Sequence, residues 1–247
     1  MNEEKFSGKA ENYDRFRPSY PRGLVDWLYE LTSADAVADI GAGTGKFTQI
    51  LLEKPWRVTA VEPNADMLAR LRGNFPSLAV VQASAENTGL PAHSFGLITA
   101  AQAFHWFDEV LFREECKRLI RPNGRLAVVF NSRGGDEVIA ARDEVCKRYC
   151  PLFAQRNGHA GRRSDEEGNR FLRGEYFARV EVFRANNPVT LNKEQFLGDT
   201  LSRSYALRES DERFAEFAAE INAVFERYQK NGAVSVNYTT TCYAGRF

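Results

Sequence analysis

Residues 37–48 read Val-Ala-Asp-Ile-Gly-Ala-Gly-Thr-Gly-Lys-Phe-Thr, and this stretch decides the fold. The segment Ala36–Ile40 is short and apolar, as expected of a strand buried on both faces of a parallel sheet. Apolar residues recur at helical spacing further on, until Pro55 ends the run. Between the two lie three glycines at alternate positions, Gly41, Gly43 and Gly45. The order of strand, glycine turn and helix predicts a ligand-binding turn at the carboxyl edge of a parallel sheet.

The glycine turn differs from the standard phosphate-binding loops. A dinucleotide fingerprint has its third glycine three residues after the second, and Lys46 stands there instead. Phe47 follows the Gly-Lys pair, so an NTPase loop is also disfavoured. Taken alone, the turn could be only a tight turn. The next predicted strand, Arg57–Val61, ends at Glu62, an acidic residue placed to accept hydrogen bonds from a ribose, which favours a cofactor site.

Two motifs together indicate a family. Asp-Ile-Gly-Ala-Gly-Thr-Gly followed by Val-Glu-Pro-Asn resembles the class I S-adenosylmethionine-dependent methyltransferases. The segments Phe-Ser-Gly-Lys-Ala-Glu-Asn-Tyr-Asp-Arg-Phe-Arg-Pro, Ala-Ser-Ala-Glu-Asn-Thr-Gly-Leu-Pro and Ala-Gln-Ala-Phe-His-Trp-Phe-Asp resemble its small-molecule branch, which includes trans-aconitate methyltransferase-like proteins. The resemblance covers residues 5–133 and implies S-adenosyl-L-methionine as the cofactor.

The pattern of apolar residues predicts an α/β fold. Strands are expected at 36–40, 57–61, 78–83, 95–101, 125–131, 177–183 and 234–243, and helices at 21–31, 108–120, 136–149, 192–201 and 211–230. Two further helices are expected, one after the glycine turn and ended by Pro55, the other capped by Asn64 and carrying Met67, Leu68 and Leu71. This alternation indicates a doubly wound, mostly parallel sheet of the Rossmann-like methyltransferase type. The last two strands are expected to pair as the terminal hairpin typical of that fold, which gives seven strands.

The chain is expected to form a single methyltransferase domain over residues 1–247. Residues 1–20 carry aromatic side chains among charges and are interpreted as a lid over the cofactor, with a loosely packed arm as the alternative. Residues 134–174 follow the fifth strand and are interpreted as a helical cap insertion. Because ligands bind beyond the carboxyl ends of parallel strands, this insertion is predicted to cover that edge and shape the acceptor pocket.

The cofactor site is predicted at the ends of the first four strands. The backbone of the glycine turn suits the amino-acid end and the nearby ribose of the cofactor, and Glu62 can accept from both ribose hydroxyls. Asp39 either orients the cofactor's ammonium group or holds the turn. Met67 either lies against the adenine or packs in the core. The resemblance further implies adenine contacts at Ala85 and Glu86 and a sulfonium contact at Gln102.

The predicted acceptor side combines one histidine with aromatic and basic residues. His105 is the candidate general base, with a packed or hydrogen-bonded histidine as the equal alternative. Trp106 is predicted to line the pocket. A carboxylate acceptor would need no base, and arginine forks suit the carboxylates that do not react. The other candidate substrate-binding residues are Tyr13 and Arg17 in the arm, and Arg203 with Tyr205 beside it. A surface salt bridge is the alternative for each arginine.

Composition excludes several classes. The formal net charge is zero, with 33 basic and 33 acidic residues, so a broad basic face for nucleic acid is not expected. The segment after the fourth strand also lacks the Asp/Asn-Pro-Pro-aromatic motif of amino-methylating DNA enzymes. The four cysteines do not form two zinc-binding pairs and are interpreted as reduced thiols of a cytoplasmic protein. No signal peptide or membrane span is predicted, and no feature defines an oligomeric state.

The leading hypothesis is a methyltransferase acting on a small-molecule acceptor, with a carboxylate or hydroxyl as the methylated group. An NAD-dependent oxidoreductase fits the fold and Glu62, although the glycine spacing and the segment around Glu86 count against it. A non-catalytic S-adenosylmethionine-binding protein is the third hypothesis, because methyl transfer requires no obligatory catalytic residue.

Overall fold

A computed structural model describes residues 8–153 and 168–247 of the chain. The strands are β1 (Ala36–Ile40), β2 (Arg57–Val61), β3 (Ala79–Val81), β4 (Phe95–Ala101), β5 (Ile120–Arg133), β6 (Arg179–Asn186), β7 (Val189–Leu191), β8 (Val234–Val236) and β9 (Tyr238–Arg246). The helices are α1 (Ala10–Phe16), α2 (Arg22–Leu31), α3 (Lys46–Leu51), α4 (Ala65–Asn74), α5 (Glu109–Leu119), α6 (Glu137–Tyr149), α7 (Lys193–Leu201) and α8 (Phe214–Tyr228), with a 3-10 turn at Phe104–Trp106.

Seven strands form one sheet in the order β3-β2-β1-β4-β5-β9-β6. The first five strands in this order run parallel to one another, and β9 runs antiparallel to both β5 and β6. The reversal of strand order lies at β1, where a parallel sheet opens its crevice for ligands. The doubly wound, mostly parallel fold is therefore confirmed, and the predicted pairing of the last two sheet strands is seen as β6 with β9.

Short polar side chains start the helices that flank this crevice. The Asn64 side chain accepts a hydrogen bond from the Met67 amide and begins α4. Asp108 does the same for the amides of Val110 and Leu111 and begins α5. Caps of this kind satisfy amides that have no partner within the helix. Both helix starts are thereby held at the carboxyl ends of β2 and β4.

Apolar clusters cover both faces of the sheet. One cluster packs α2 and α3 against residues such as Val37, Leu97 and Val129. The opposite cluster packs α5 against the alternate residues of the same strands, including Ile98 and Val128. The period-two alternation within each strand sends successive side chains to opposite faces. Burial on both faces holds the carboxyl edge in place as a rigid platform for the site.

The predicted cap segment shares its apolar core with residues outside 134–174. Helix α6 lies in the first part of this segment. It packs in a separate apolar core with α7, α8 and the two-stranded sheet of β7 and β8. Residues 187–236 therefore contribute to the cap beside residues 134–153. The rest of the predicted insertion falls partly on 154–167, outside the described residues. Because α6 directly follows β5, the cap core lies beyond the carboxyl end of that strand.

Several predicted strand limits differ from the structure: β6 spans Arg179–Asn186 rather than 177–183, β7 was not predicted, and two larger differences have identifiable causes. The run 234–243 is two strands rather than one, because Asn237 leaves the strand pattern to bond with Asp136: its backbone amide and side-chain nitrogen donate at 2.8 and 2.7 Å. Strand β5 is longer than the predicted 125–131, because it pairs with β4 as early as Ile120 and with β9 as late as Arg133.

Of the predicted lid, residues 8–20 are described, and residues 1–7 lie outside the described part. Helix α1 lies between α4 and α7, with which it packs. Among the described residues, no helix has the length and apolar composition needed to cross a bilayer.

Candidate functional site

A cavity of about 260 Å³ opens beside the glycine turn. Its walls come from the carboxyl ends of β1, β2 and β4, from the turn after β3 and from α1. The predicted site residues that line it are Tyr13, Gly41, Gly43, Glu62, Met67, Ala85, Glu86, Gln102 and Trp106. Five further residues line it that were not among the predicted site residues, each within two positions of a predicted one: Pro63, Asn64, Ser84, Ala103 and Phe107.

The three glycines of the turn have positive φ angles but different surroundings. A Cβ on Gly41 would come within 2.6 Å of Ala103, and one on Gly45 within 2.5 Å of the Phe75 ring. A Cβ on Gly43 would find only the Tyr13 ring, at 3.8 Å. Gly41 and Gly45 therefore let elements pack closely, whereas Gly43 presents bare backbone to the cavity. Of the predicted cofactor glycines, only Gly45 does not line the cavity.

Glu62 is 7% exposed and is fixed by the backbone on both sides. Its Oε2 accepts the Gly43 amide at 2.8 Å, and its Oε1 accepts the Asn64 amide at 2.9 Å. Each carboxylate oxygen can accept more than one hydrogen bond. The side chain thus joins the glycine turn to the start of α4 and retains acceptor capacity at the cavity wall, which suits a pair of ribose hydroxyls.

Asp39 lies inside the sheet and does not line the cavity. Its two carboxylate oxygens accept the hydroxyls of Thr48 at 2.6 Å and Thr99 at 2.7 Å. Burial raises the pKa of Asp39 to about 6, although both hydroxyl hydrogen bonds lower it. These contacts tie α3 and β4 to β1 just before the glycine turn. The arrangement fits the interpretation in which Asp39 holds the turn rather than an ammonium group.

The opposite wall comes from the ends of β3 and β4. Glu86 accepts the backbone amide of Asp108 at 2.8 Å and so anchors the start of α5. Gln102 has a φ of +54°, a conformation that non-glycine residues rarely adopt. Its side-chain nitrogen donates to the carbonyl of Asn131 at 2.7 Å. A strained backbone held this firmly at a cavity wall is typical of a functional position.

Arg17 and Arg203 lie next to this cavity without lining it. The Arg17 guanidinium stacks over the Tyr13 ring, 5.1 Å from its centroid, and donates to the carbonyl of Ser202 at 3.3 Å. Arg203 is 8% exposed and donates from one nitrogen, Nη2, to both oxygens of Asp199 and to the Tyr238 hydroxyl. The two predicted arginines are therefore neighbours behind Tyr13.

Tyr205 is the third predicted substrate residue in this region. Its hydroxyl is buried and has no hydrogen-bond partner among the described residues. Burial raises the pKa of Tyr205 to about 12, so the hydroxyl keeps its proton at neutral pH and can donate it in a hydrogen bond. Its ring packs edge-on against Phe153.

Two charged residues in the same region were not predicted. Arg142 is fully buried in α6 and donates to Asp143 at 2.9 Å and to Asp199 at 3.2 Å. Asp199, 1% exposed in α7, is therefore shared between Arg142 and Arg203. A signal for Arg142 existed in the sequence, since it shares the apolar face of its helix with Val138 and Val145. A charged residue on such a face indicates a buried partner.

His105 lies in the 3-10 turn and does not line the cavity. Its ring contacts the Trp106 ring, with 4.8 Å between centroids. Trp106 itself faces the cavity. The geometry thus brings the aromatic candidate to the pocket and leaves the predicted base beside it.

Comparison with known proteins identifies the family. A model described as a methyltransferase domain matches residues 38–128. The solved structure of a candidate type II methyltransferase from Anaeromyxobacter dehalogenans is 31% identical, covers 94% of this chain and 98% of its own, and superposes with a TM-score of 0.69. The chain belongs to the class I S-adenosylmethionine-dependent methyltransferases. An uncharacterised methyltransferase of Mycobacterium tuberculosis is 41% identical over 128 residues, 52% of either chain.

A further relative of this methyltransferase carries a substrate in its name. A trans-aconitate 2-methyltransferase from Rhodopseudomonas palustris is 32% identical over 127 residues, which is 48% of either chain. The chain thus matches about half the length of these curated relatives.

The residues of the cavity fit S-adenosylmethionine. Gly43 leaves bare backbone where a side chain would fill the space, and Glu62 offers oxygens beside it. Met67, 3% exposed, and Ala85, 4% exposed, provide an apolar surface of the kind an adenine requires. Polar groups at one end and an apolar wall at the other match the ribose and base of the family's cofactor.

Proposed function

We propose that this chain transfers the methyl group of S-adenosylmethionine to a small carboxylic acid. The observation that carries the proposal is the pair of neighbouring arginines, Arg17 and Arg203, behind the cavity wall. Two guanidinium groups beside a cofactor site suit an anionic acceptor. The trans-aconitate 2-methyltransferase among the relatives supports the same class of acceptor.

The proposed cofactor contacts follow from the cavity lining. Glu62 accepts the ribose hydroxyls, and the backbone at Gly43 approaches the amino-acid end. Met67 and Ala85 enclose the adenine, and Glu86 lies at its polar edge. Gln102 stands at the end of β4, where it faces the reacting end of the ligand. Asp39 and Gly45 support these residues from behind.

The chemistry requires positioning more than proton transfer. The bound cofactor supplies an electrophilic methyl carbon on a sulfonium. A carboxylate oxygen donates the electron pair of the new carbon–oxygen bond, and the old carbon–sulfur pair stays with sulfur, so no proton moves. The protein's role is to hold the acid in line with that carbon, an orientation effect that can contribute roughly 7–11 kcal/mol. His105 then has no obligatory role as a base.

The acceptor is proposed to carry carboxylates that are not methylated. Arg17 and Arg203 hold these groups, because a planar guanidinium binds two carboxylate oxygens at once. Tyr205 adds a hydroxyl donor, and Tyr13 and Trp106 form the wall between the arginines and the cofactor.

A substitution at Arg203 tests this function. Arg203→Ala is expected to lower kcat/KM for a carboxylic acid tenfold or more, on the order of 1.4 kcal/mol, with little change in cofactor affinity. Arg227→Ala, an exposed helical arginine remote from the site, serves as the control. Initial rates with labelled S-adenosylmethionine and a panel of mono-, di- and tricarboxylic acids measure the effect. Turnover restricted to neutral acceptors would reject the carboxylate, and His105 would then be tested as a base.

A further inference from the structure

The arm, defined here as residues 8–20, is attached to both halves of the site. Asp14 accepts Arg70 of α4 at 2.8 Å, on the cofactor side. Arg15 donates to Glu194 of α7 at 2.7 Å, on the cap side. Helix α1 therefore bridges the cofactor half and the cap, and Tyr13 on the same helix lines the cavity.

Like charges meet where the arm joins the cap. Arg17 from the arm reaches Ser202, the residue before Arg203 in the cap. Burial lowers the pKa of Arg17, and the charge of Arg203 lowers it further. The Nε atoms of both arginines are buried and have no acceptor among the described residues. The closed arm thus holds two guanidinium groups together with unused donors.

The nearby carboxylates do not balance these charges. In the described part of the chain, Asp199 and Asp143 serve four guanidinium groups, those of Arg17, Arg133, Arg142 and Arg203. The buried Lys9 ammonium adds a fifth positive group, since it donates to the Arg203 carbonyl at 2.7 Å, so positive charge is in excess of these two carboxylates. Buried charges without counter-ions are costly, so the junction is well suited to receive negative charge. The buried hydroxyl of Tyr205, which lacks a partner among the described residues, adds a neutral donor.

We propose that the arm–cap junction is a binding site for the non-reacting carboxylates of a di- or tricarboxylic acid, and that filling it stabilises the closed arm over the cofactor. This inference rests on the proposed function, since it assigns the acid's second charge to the same site. The anion bridges Arg17 and Arg203 and replaces their repulsion with shared hydrogen bonds. A monocarboxylate leaves the junction empty.

The consequence is coupling between the two ligands. If the acid favours the closed arm and the closed arm retains the cofactor, each ligand must tighten the binding of the other by the same factor. Such coupling factors are typically about 5–150-fold. The structure therefore implies that the protein senses the charge of its acceptor through the affinity for S-adenosylhomocysteine.

Calorimetry on the full chain tests the coupling. S-adenosylhomocysteine is titrated alone and with trans-aconitate, citrate, succinate or acetate, at ionic strength matched with sodium chloride. At least one of the di- and tricarboxylates is expected to tighten binding about fivefold or more, whereas acetate is expected to have no effect. Arg17→Ala is expected to lose this dependence on the acid. Arg227→Ala, an exposed substitution outside the arm, is expected to retain it.

Two results would overturn the inference. The first is that none of the acids changes the affinity for S-adenosylhomocysteine. The second is that the acids still change this affinity in the Arg17→Ala protein, when its thermal transition shows that the variant is folded. A parallel turnover assay separates this failure from failure of the proposed function. If an acid is methylated but leaves the affinity unchanged, only the coupling is rejected; if no acid is methylated, the carboxylate acceptor itself is rejected.

Discussion

At the scale of single residues, Glu62 is held in position before any ligand arrives. Each of its oxygens accepts a backbone amide, one from the glycine turn and one from the start of α4. Preorganised acceptors of this kind reduce the ordering cost of binding. The residue is therefore both a proposed ligand contact and a link between two elements.

Replacing Glu62 should weaken cofactor binding. Glu62→Ala removes charge-assisted hydrogen bonds worth roughly 1.5–3 kcal/mol each, so affinity for S-adenosylhomocysteine is expected to fall at least tenfold. The same change leaves the amides of Gly43 and Asn64 without their acceptor, so some loss of thermal stability is expected too. Glu62→Gln, which keeps the shape and one acceptor oxygen, serves as the comparison. Unchanged affinity in a folded variant would remove Glu62 from the site.

Asp39 gives a prediction about pH. Its folded pKa of about 6 lies above the ordinary 3.8, so the folded state holds the proton more tightly than the unfolded state. Stability from this group is thus present below about pH 4 and is lost as the pH rises through about 6, by up to ~3 kcal/mol. Asp39→Asn has no such dependence. The free energy of unfolding is measured for both proteins at pH 4 and pH 7. The value for the variant minus the value for the natural protein should be larger at pH 7 than at pH 4. The same difference at both pH values would contradict this prediction.

The positions of single residues were predictable from the sequence in some cases, and their contacts were not. Glu62 was predictable because a strand end after a glycine turn defines its place. Asp199 itself lies one helical turn before Arg203. The Tyr238 partner of Arg203 and the Arg142 that shares Asp199 were not predictable, because β9 and α6 are distant from α7 in the sequence and only folding brings them together. For the same reason, the geometry of Asp39 required Thr99 from a neighbouring strand.

At the scale of elements, the arm depends on one glycine of α7. A Cβ on Gly198 would lie 2.2 Å from the Phe16 ring, so the missing side chain makes room for the arm. Gly198 sits within the helix, where alanine is normally favoured over glycine by roughly 1 kcal/mol. Its presence against that preference indicates a packing role for the contact with α1.

Gly198→Ala should therefore displace the arm. The expected result is faster dissociation of S-adenosylhomocysteine, measured by stopped-flow fluorescence, because the closed arm covers the cavity. Gly73→Ala in α4 is the matched control, since a Cβ there meets nothing within 4 Å. Equal dissociation rates in the two variants would show that the arm does not retain the ligand.

Element boundaries were predictable where apolar runs end in strong stop signals. Strands β1, β2 and β4 match their predicted limits, and the glycine turn defines the end of β1. The division between β8 and β9 was missed because a tertiary hydrogen bond pair from Asn237 to Asp136 causes it. The spacing of apolar residues around Asn237 does not indicate a hydrogen-bond partner that is so distant in the sequence.

At the scale of the whole molecule, the sheet explains why the site lies where it does. The strand order reverses at β1, and the cavity opens at the carboxyl edge of β1, β2 and β4. Arg17 belongs to the arm, and Arg203 follows α7 of the proposed cap. The parallel half of this arrangement followed from the alternation of strands and helices. The extent of the cap could not be predicted from the sequence, because its core joins segments that are separated in the chain by β6.

Calorimetric titration of the purified chain with S-adenosylhomocysteine and, separately, with NAD tests the cofactor assignment most directly. We expect saturable binding of one S-adenosylhomocysteine per chain and no heat of binding with NAD, because the glycine turn and Glu62 are proposed to form the cofactor site of a methyltransferase. Saturable binding of NAD without binding of S-adenosylhomocysteine would contradict this expectation.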